Sequence, residues 1–100
     1  MSLNGIDVSD WQTGINLAAV PADFVIMKAT EGTSYVSPDC DRQYQQAKGA
    51  GRLLGVYHYA NGGNIQAEAD WFLKNIQGYI GEAILVLDWE ATNNPTFGSN

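Results

Sequence analysis

Residues 84–90 read Ile84-Leu85-Val86-Leu87-Asp88-Trp89-Glu90, an aliphatic run that ends acid, tryptophan, acid. An unbroken apolar run of this length is what a strand covered on both faces of a parallel sheet requires. Three more β-rich runs punctuate the chain, at Gly5–Ser9, Phe24–Thr30 and Leu53–Ala60. The connections between them are long enough to carry the crossover helices that parallel strands need. In the second connection Ser37 is the expected N-cap, with Pro38 at the first helical position and Asp39 near the positive helix end. Cys40, Tyr44 and Ala47 follow at helical spacing, and Lys48-Gly49-Ala50-Gly51 closes the helix. In the third, Asn64 caps a helix whose apolar face is Ile65, Ala69, Phe72, Leu73 and Ile76, and Gly78 stops it. The first connection is weaker; Ile15–Val20 reads as a short helix before Pro21. The order is β-α-β-α-β-α-β with right-handed crossovers. The fold class is α/β, an open parallel sheet or part of a (β/α) barrel, with the strands adjacent in chain order.

The composition limits what such a chain can be. One hundred residues make one domain, 1–100, and 45% hydrophobic against 16% charged residues excludes a solvated coil. Five Lys and Arg against eleven Asp and Glu give a net charge of −6. That balance argues against nucleic acid as a partner and against an electrostatic hold on an acidic membrane. No apolar stretch approaches the ~20 residues of a membrane helix. Cys40 is the single cysteine, so no internal disulfide and no cysteine-rich zinc site is available. With one His and one Cys at no ligand spacing, no metal and no cofactor is expected. After Glu90 the chain runs as a loop, Ala91 to Asn100. A four-stranded sheet ending there has a bare edge, and the expectation is that a longer protein has been cut.

Chemistry in parallel α/β folds collects at the C-terminal ends of the strands. Those ends carry Asp7, then Lys28, then Tyr57-His58-Tyr59, then Asp88-Trp89-Glu90. Side chains two apart share a face. Asp88 and Glu90 therefore go with Ile84 and Val86, Lys28 with Phe24 and Ile26, and Tyr57 and Tyr59 with Gly55. If these faces converge, two carboxylates, an ammonium and two phenols meet in one cleft, with Asp7 nearby. Two carboxyls this close resist ionising together, so one pKa should rise. A proton donor beside an anion is what glycosidic cleavage needs, with carboxyl groups ~5–9.5 Å apart. Plainer accounts exist for each residue. Asp88 and Glu90 could be a solvated strand end, Lys28 alone reads as a snorkelling lysine, and His58 as a hydrogen-bonded core histidine. Trp71 reads as core, whereas Trp11 and Trp89 sit beside acidic strand ends where they could stack on sugars. Glu68 and Asp70 read as solvated, and Cys40 as a small buried apolar residue.

Four motifs fall in a telling order: Gly5-Ile6-Asp7-Val8-Ser9, Ile26-Met27-Lys28-Ala29-Thr30-Glu31-Gly32, Gly55-Val56-Tyr57-His58-Tyr59-Ala60 and Leu85-Val86-Leu87-Asp88-Trp89-Glu90. In these the chain resembles the glycoside hydrolase family 25 lysozymes, N-acetylmuramidases of phage endolysins, bacterial autolysins and some fungi. The resemblance implies an irregular TIM-like barrel of which only the first four β strands and their helices are present. It implies hydrolysis of the β-1,4 bond between N-acetylmuramic acid and N-acetylglucosamine, with the peptidoglycan glycan strand as partner and action outside the cell or at the cell wall. By the same resemblance Glu90 matches the general acid, Asp88 its partner carboxylate and Asp7 the acid of the first strand. Lys28, Tyr59, Tyr57 and Trp89 fall where sugar contacts are expected. The family domain is longer than this chain, so the implied partner is the missing C-terminal half or a second copy. Two other functions fit the same residues: a non-catalytic carbohydrate- or cell-wall-binding module, and a self-associating half-barrel.

Overall fold

The computed structural model describes residues 3–89. Each apolar run forms a strand: β1 (Gly5–Val8), β2 (Phe24–Glu31), β4 (Leu53–Tyr59) and β5 (Ile84–Asp88). They hydrogen-bond in the order β1-β2-β4-β5, and every pairing among them is parallel, as the length of their connections predicts. The sheet is not closed among the described residues. A further strand, β3 (Tyr35–Val36), pairs antiparallel with the end of β2 through Thr30↔Val36 and Glu31↔Tyr35. It occupies the edge of β2 that β1 leaves free, because β4 holds the other edge along its length. Two residues are too few to show a strand pattern in sequence.

Two α-helices pack on one face of the sheet. Helix α1 (Cys40–Gly49) buries Cys40, Gln43, Tyr44 and Ala47, one stripe at helical spacing. It begins after Asp39, the N-cap; Ser37, expected in that role, lies two residues earlier and accepts from the Asp39 N–H at 3.4 Å. Helix α2 (Ile65–Asn75) is capped as expected, with Asn64 Oδ1 accepting from Ala67 N–H at 3.0 Å. Its expected apolar face docks it only in part, through Phe72, which packs against the core. Ile65, Ala69 and Leu73 are exposed, Phe72 is half-buried, and the buried helical residue is Glu68. Ile76, just past the helix end, is fully buried.

The first connection holds no α-helix. Residues Asp10–Gln12 form a 3-10 turn, and Ile15–Val20 continues as separate turns. Side chains of α1 explain how the segment stays ordered without one. Gln43 Nε2 donates to Ser9 O at 2.8 Å, and Gln46 Oε1 accepts from Leu17 N–H at 3.2 Å. These satisfy backbone groups that a helix would otherwise satisfy internally.

The core lies between the sheet and the helices, built from Val8, Leu17, Val25, Met27, Val56, Tyr44 and Ile76 with smaller neighbours. Cys40 belongs to it, as its apolar character suggests. Tyr44 stacks on Tyr79 with ring centroids 4.1 Å apart and donates to Glu82 at 2.7 Å. At the start of the sheet Phe24 lies over Gly5, where a Cβ would stand 1.9 Å from the ring. Met27 is fully buried on this helix-covered face. Met27→Ala should therefore lower the unfolding free energy by ~2–5 kcal/mol in urea denaturation. A loss below ~0.5 kcal/mol, the ordinary surface value, would mean that the core lies elsewhere.

Candidate active site

Register partners in a parallel sheet point to the same side. Asp7 pairs with Ile26, Ile26 with Gly55 and Gly55 with Ile84. One repeat further on, Lys28 pairs with Tyr57 and Tyr57 with Val86; then Tyr59 pairs with Asp88. Asp7, Lys28, Tyr57, Tyr59 and Asp88 thus share the face that the helices do not cover. Asp7, Ile26, Tyr57, Val86, Leu87 and Asp88 line one cavity there of about 260 Å³. Of the strand-end residues, Asp7, Tyr57 and Asp88 line this cavity together, while Lys28 and Tyr59 share its face. Glu90 lies outside the described residues. Trp89 does not join the cavity. It lines an apolar groove on the opposite face with His58, Phe72, Leu85 and Leu87, as alternation from Asp88 requires.

Lys28 is no snorkelling lysine. It is 8% exposed, its Nζ lies 2.6 Å from Glu31 Oε1, and it sits over the rings of Tyr35 and Tyr59 at 5.0 and 5.3 Å. An ion pair between strand residues three apart is normally impossible, because they point to opposite faces. Here the register slips between Lys28 and Thr30, so that Thr30 pairs with His58 and Glu31 with Tyr59. This bulge brings Glu31 back to the side of Lys28 and turns Thr30 toward the helices. Tyr35 in turn donates to Asp10 Oδ2. That hydrogen bond, with burial and the nearby acids Asp10, Glu31 and Asp39, pushes the Tyr35 phenol up to about 12.

Behind this face stands a buried polar chain. His58 is 3% exposed; its Nδ1 lies 2.7 Å from Thr30 Oγ1 and its Nε2 2.8 Å from Glu68 Oε1. The reading of His58 as a hydrogen-bonded core residue is borne out, while the reading of Glu68 as solvated is not. Glu68 also accepts from Asn61 N–H at 2.9 Å and Gly62 N–H at 2.7 Å. Burial alone would raise its carboxyl, but the Asn61 N–H, the imidazole and the Gly62 N–H outweigh that and hold it below the usual carboxylate range. Trp71, read as core, is half-buried and donates Nε1–H to Tyr35 O at 2.9 Å, tying α2 to β3.

Asp10 and Glu31 fall at strand ends in the sequence, but their contacts, and the parts played by Tyr35 and Glu68, were not legible there. Glu31 depends on the bulge, and Tyr35 with Asp10 on a two-residue strand. Glu68 had one available signal. His58 alternates to the helix-covered side, and a buried imidazole requires a partner; Glu68 lies in the first turn of the next helix.

Comparison with known proteins bears on this arrangement. The family model described as glycosyl hydrolases family 25 matches residues 6–99. An N,O-diacetylmuramidase of Chalaropsis sp is 36% identical over 97% of this chain and 52% of its own length. Lysozyme M1 of Streptomyces globisporus is 40% identical over 77% of this chain and 28% of its own length. Among solved structures, a bacterial lysozyme from Streptomyces coelicolor superposes with a TM-score of 0.80 at 34% identity, covering 98% of this chain and 50% of that one. The chain thus spans about half the length, or less, of these relatives.

The Tyr35–Asp10 bond has a spectroscopic consequence. Asp10→Asn should bring the Tyr35 titration down from about 12 toward 10, followed by tyrosinate absorbance. A raised phenol stabilises the fold below pH 10, and that stability is lost as the pH rises through about 12. The variant should accordingly lose less stability than the parent across that interval. An unchanged tyrosinate titration would mean that the bond does not hold in solution.

Proposed function

This chain belongs to the glycosyl hydrolases of family 25, and on that premise we propose that it is the N-terminal part of an endo-acting muramidase. The substrate is the peptidoglycan glycan strand, cut at the β-1,4 bond between N-acetylmuramic acid and N-acetylglucosamine. The place of action is the bacterial cell wall. The observation that carries this reading is the cavity that Asp7 and Asp88, from the outer strands β1 and β5, line together with Tyr57. Two carboxylates in an open cleft with an aromatic wall suit a sugar ring that becomes cationic as its bond breaks.

In this mechanism Glu90 is the general acid, giving its proton to the leaving glycosidic oxygen. Asp88 assists the substrate's acetamido group or steadies the developing cation, and Asp7 adds negative potential from the first strand. Lys28 and Tyr59 flank the ring, the lysine restrained by Glu31 and by the two phenols. Trp89 has no part in this mechanism, since its neighbours are those of the groove behind the sheet. In the whole protein we propose that further strands close the sheet into an irregular barrel. Two features support this. The relatives are longer, and the outer strand β5 leaves Ile84 72% and Leu87 62% exposed. Such side chains gain ~1.5–3 kcal/mol each when covered, by the rest of the barrel or, failing that, by a second copy.

The test is turbidity clearing of purified cell walls by the whole protein. Glu90→Gln keeps the size of the side chain and removes the proton, and should slow clearing by ~10²–10⁴-fold. Clearing near the parent rate would mean that another residue is the acid.

A further inference from the structure

The polar chain behind the cleft has a geometry that packing alone does not require. An apolar residue would dock α2 more cheaply than a carboxylate, because a buried charge must first lose its water. Yet Glu68 is 4% exposed, while Ile65 and Leu73 of the same helix are 56% and 42% exposed. Each partner of Glu68 belongs to the exit of β4. His58 lies between Tyr57 and Tyr59, and Asn61 and Gly62 form the loop that follows. That loop contains Gly62 at φ 84° and then Gly63, residues with much backbone freedom to lose. The same exit is tied to both neighbouring strands. Ala60 N–H donates to Asp88 O at 3.0 Å, and Gly32 N–H donates to Tyr59 O at 3.1 Å. Gly32 has φ 58°, and a Cβ there would meet Asn61 Nδ2 at 2.5 Å, so the two loops are in close contact. On its far side the imidazole is held by Thr30, which reaches it only because of the bulge in β2. Glu68, as a carboxylate, accepts from Nε2–H; in the neutral ring Nδ1 then accepts from the Thr30 hydroxyl.

We propose that Glu68 is a positioning residue for the cleft: by clamping His58 and the 61–62 amides, it sets the height of the β4 exit against β5 and so places Asp88 and Tyr59 over the sugar. The catalytic consequence rests on the glycoside hydrolase reading above; the clamp itself does not. Glu68 touches no substrate. Its carboxylate accepts from two amides of the loop after β4, and it holds the ring that ties β2 to β4. A misplacement on the order of 1 Å at reacting groups can cost on the order of 10²-fold in rate.

The experiment uses the whole protein, with Glu68→Gln as the main variant and Thr30→Val as the second. Gln keeps the shape but loses the charge that three donors share, and Val removes only the hydroxyl behind the imidazole. Hydrolysis of a soluble peptidoglycan oligosaccharide gives kcat and KM, and hydrogen exchange reads the Asn61 and Gly62 amides. In Glu68→Gln the expected result is a fall in kcat of ~10–10²-fold with KM little changed, and faster exchange at both amides. Thr30→Val should lower kcat by less and leave those amides protected. It decides the matter should Glu68→Gln fail to fold, because a parent-like kcat in Thr30→Val overturns the proposal. A folded Glu68→Gln with parent kcat, or a loss carried wholly by KM, overturns it as well. If the unsubstituted protein cleaves no glycan, the hydrolase reading fails and the catalytic consequence with it; parent-like exchange in Glu68→Gln would instead overturn the clamp.

Discussion

Alternation along parallel strands is the constraint on which everything else depends. Once β1, β2, β4 and β5 pair in their observed register, each side chain has only two destinations. Val8, Val25, Met27 and Val56 go to the helix-covered side and make the core. Asp7, Lys28, Tyr57, Tyr59 and Asp88 go to the other side and make the cleft. A slip of one residue in any pairing would exchange core for cleft along that strand, burying carboxylates and exposing aliphatics. The two sets are therefore specified together: burial of one fixes the placement of the other.

The bulge in β2 is the one departure from this alternation, and it serves both sides. It returns Glu31 to the face of Lys28, so that a nearly buried ammonium has an anion at 2.6 Å. It also turns Thr30 inward, where the hydroxyl meets His58. Regular alternation would have left Lys28 without Glu31 and His58 without Thr30, and unpartnered buried polar groups are costly. The chain Thr30–His58–Glu68 then links β2, β4 and α2 through polar contacts, beside the apolar packing of Phe72.

What was legible in the sequence divides along the same physical lines. Runs such as Ile84–Leu87 and the spacing of Cys40, Tyr44 and Ala47 reflect burial, and burial leaves a periodic trace. The strand order, the parallel pairing and the convergence of Asp7, Tyr57 and Asp88 followed from that trace and from strand parity. Other features came from specific contacts with no periodic trace. Ile15–Val20 forms turns because Gln43 and Gln46 of α1 hold the backbone of that connection. Ser37 yields the N-cap position to Asp39 by two residues. Ile65, Ala69 and Leu73 made a convincing apolar face, yet Glu68 is the residue that α2 buries, because donors from β4 and its loop surround it. Trp89 lines the groove behind the sheet with Leu85 and Leu87, its parity partners. Glu90 lies outside the described residues, and the role proposed for it rests on the resemblance of its motif to the family's.

The central claim is that the face bearing Asp7 and Asp88 receives the glycan. A crystal structure of the whole protein with a bound muramyl oligosaccharide tests it most directly. The account predicts a sugar ring in the cavity lined by Asp7, Tyr57, Val86 and Asp88, with both carboxyl groups within reach of the ring. An oligosaccharide seated instead in the groove between α2 and β5, against Phe72, Leu85 and Leu87, would contradict it.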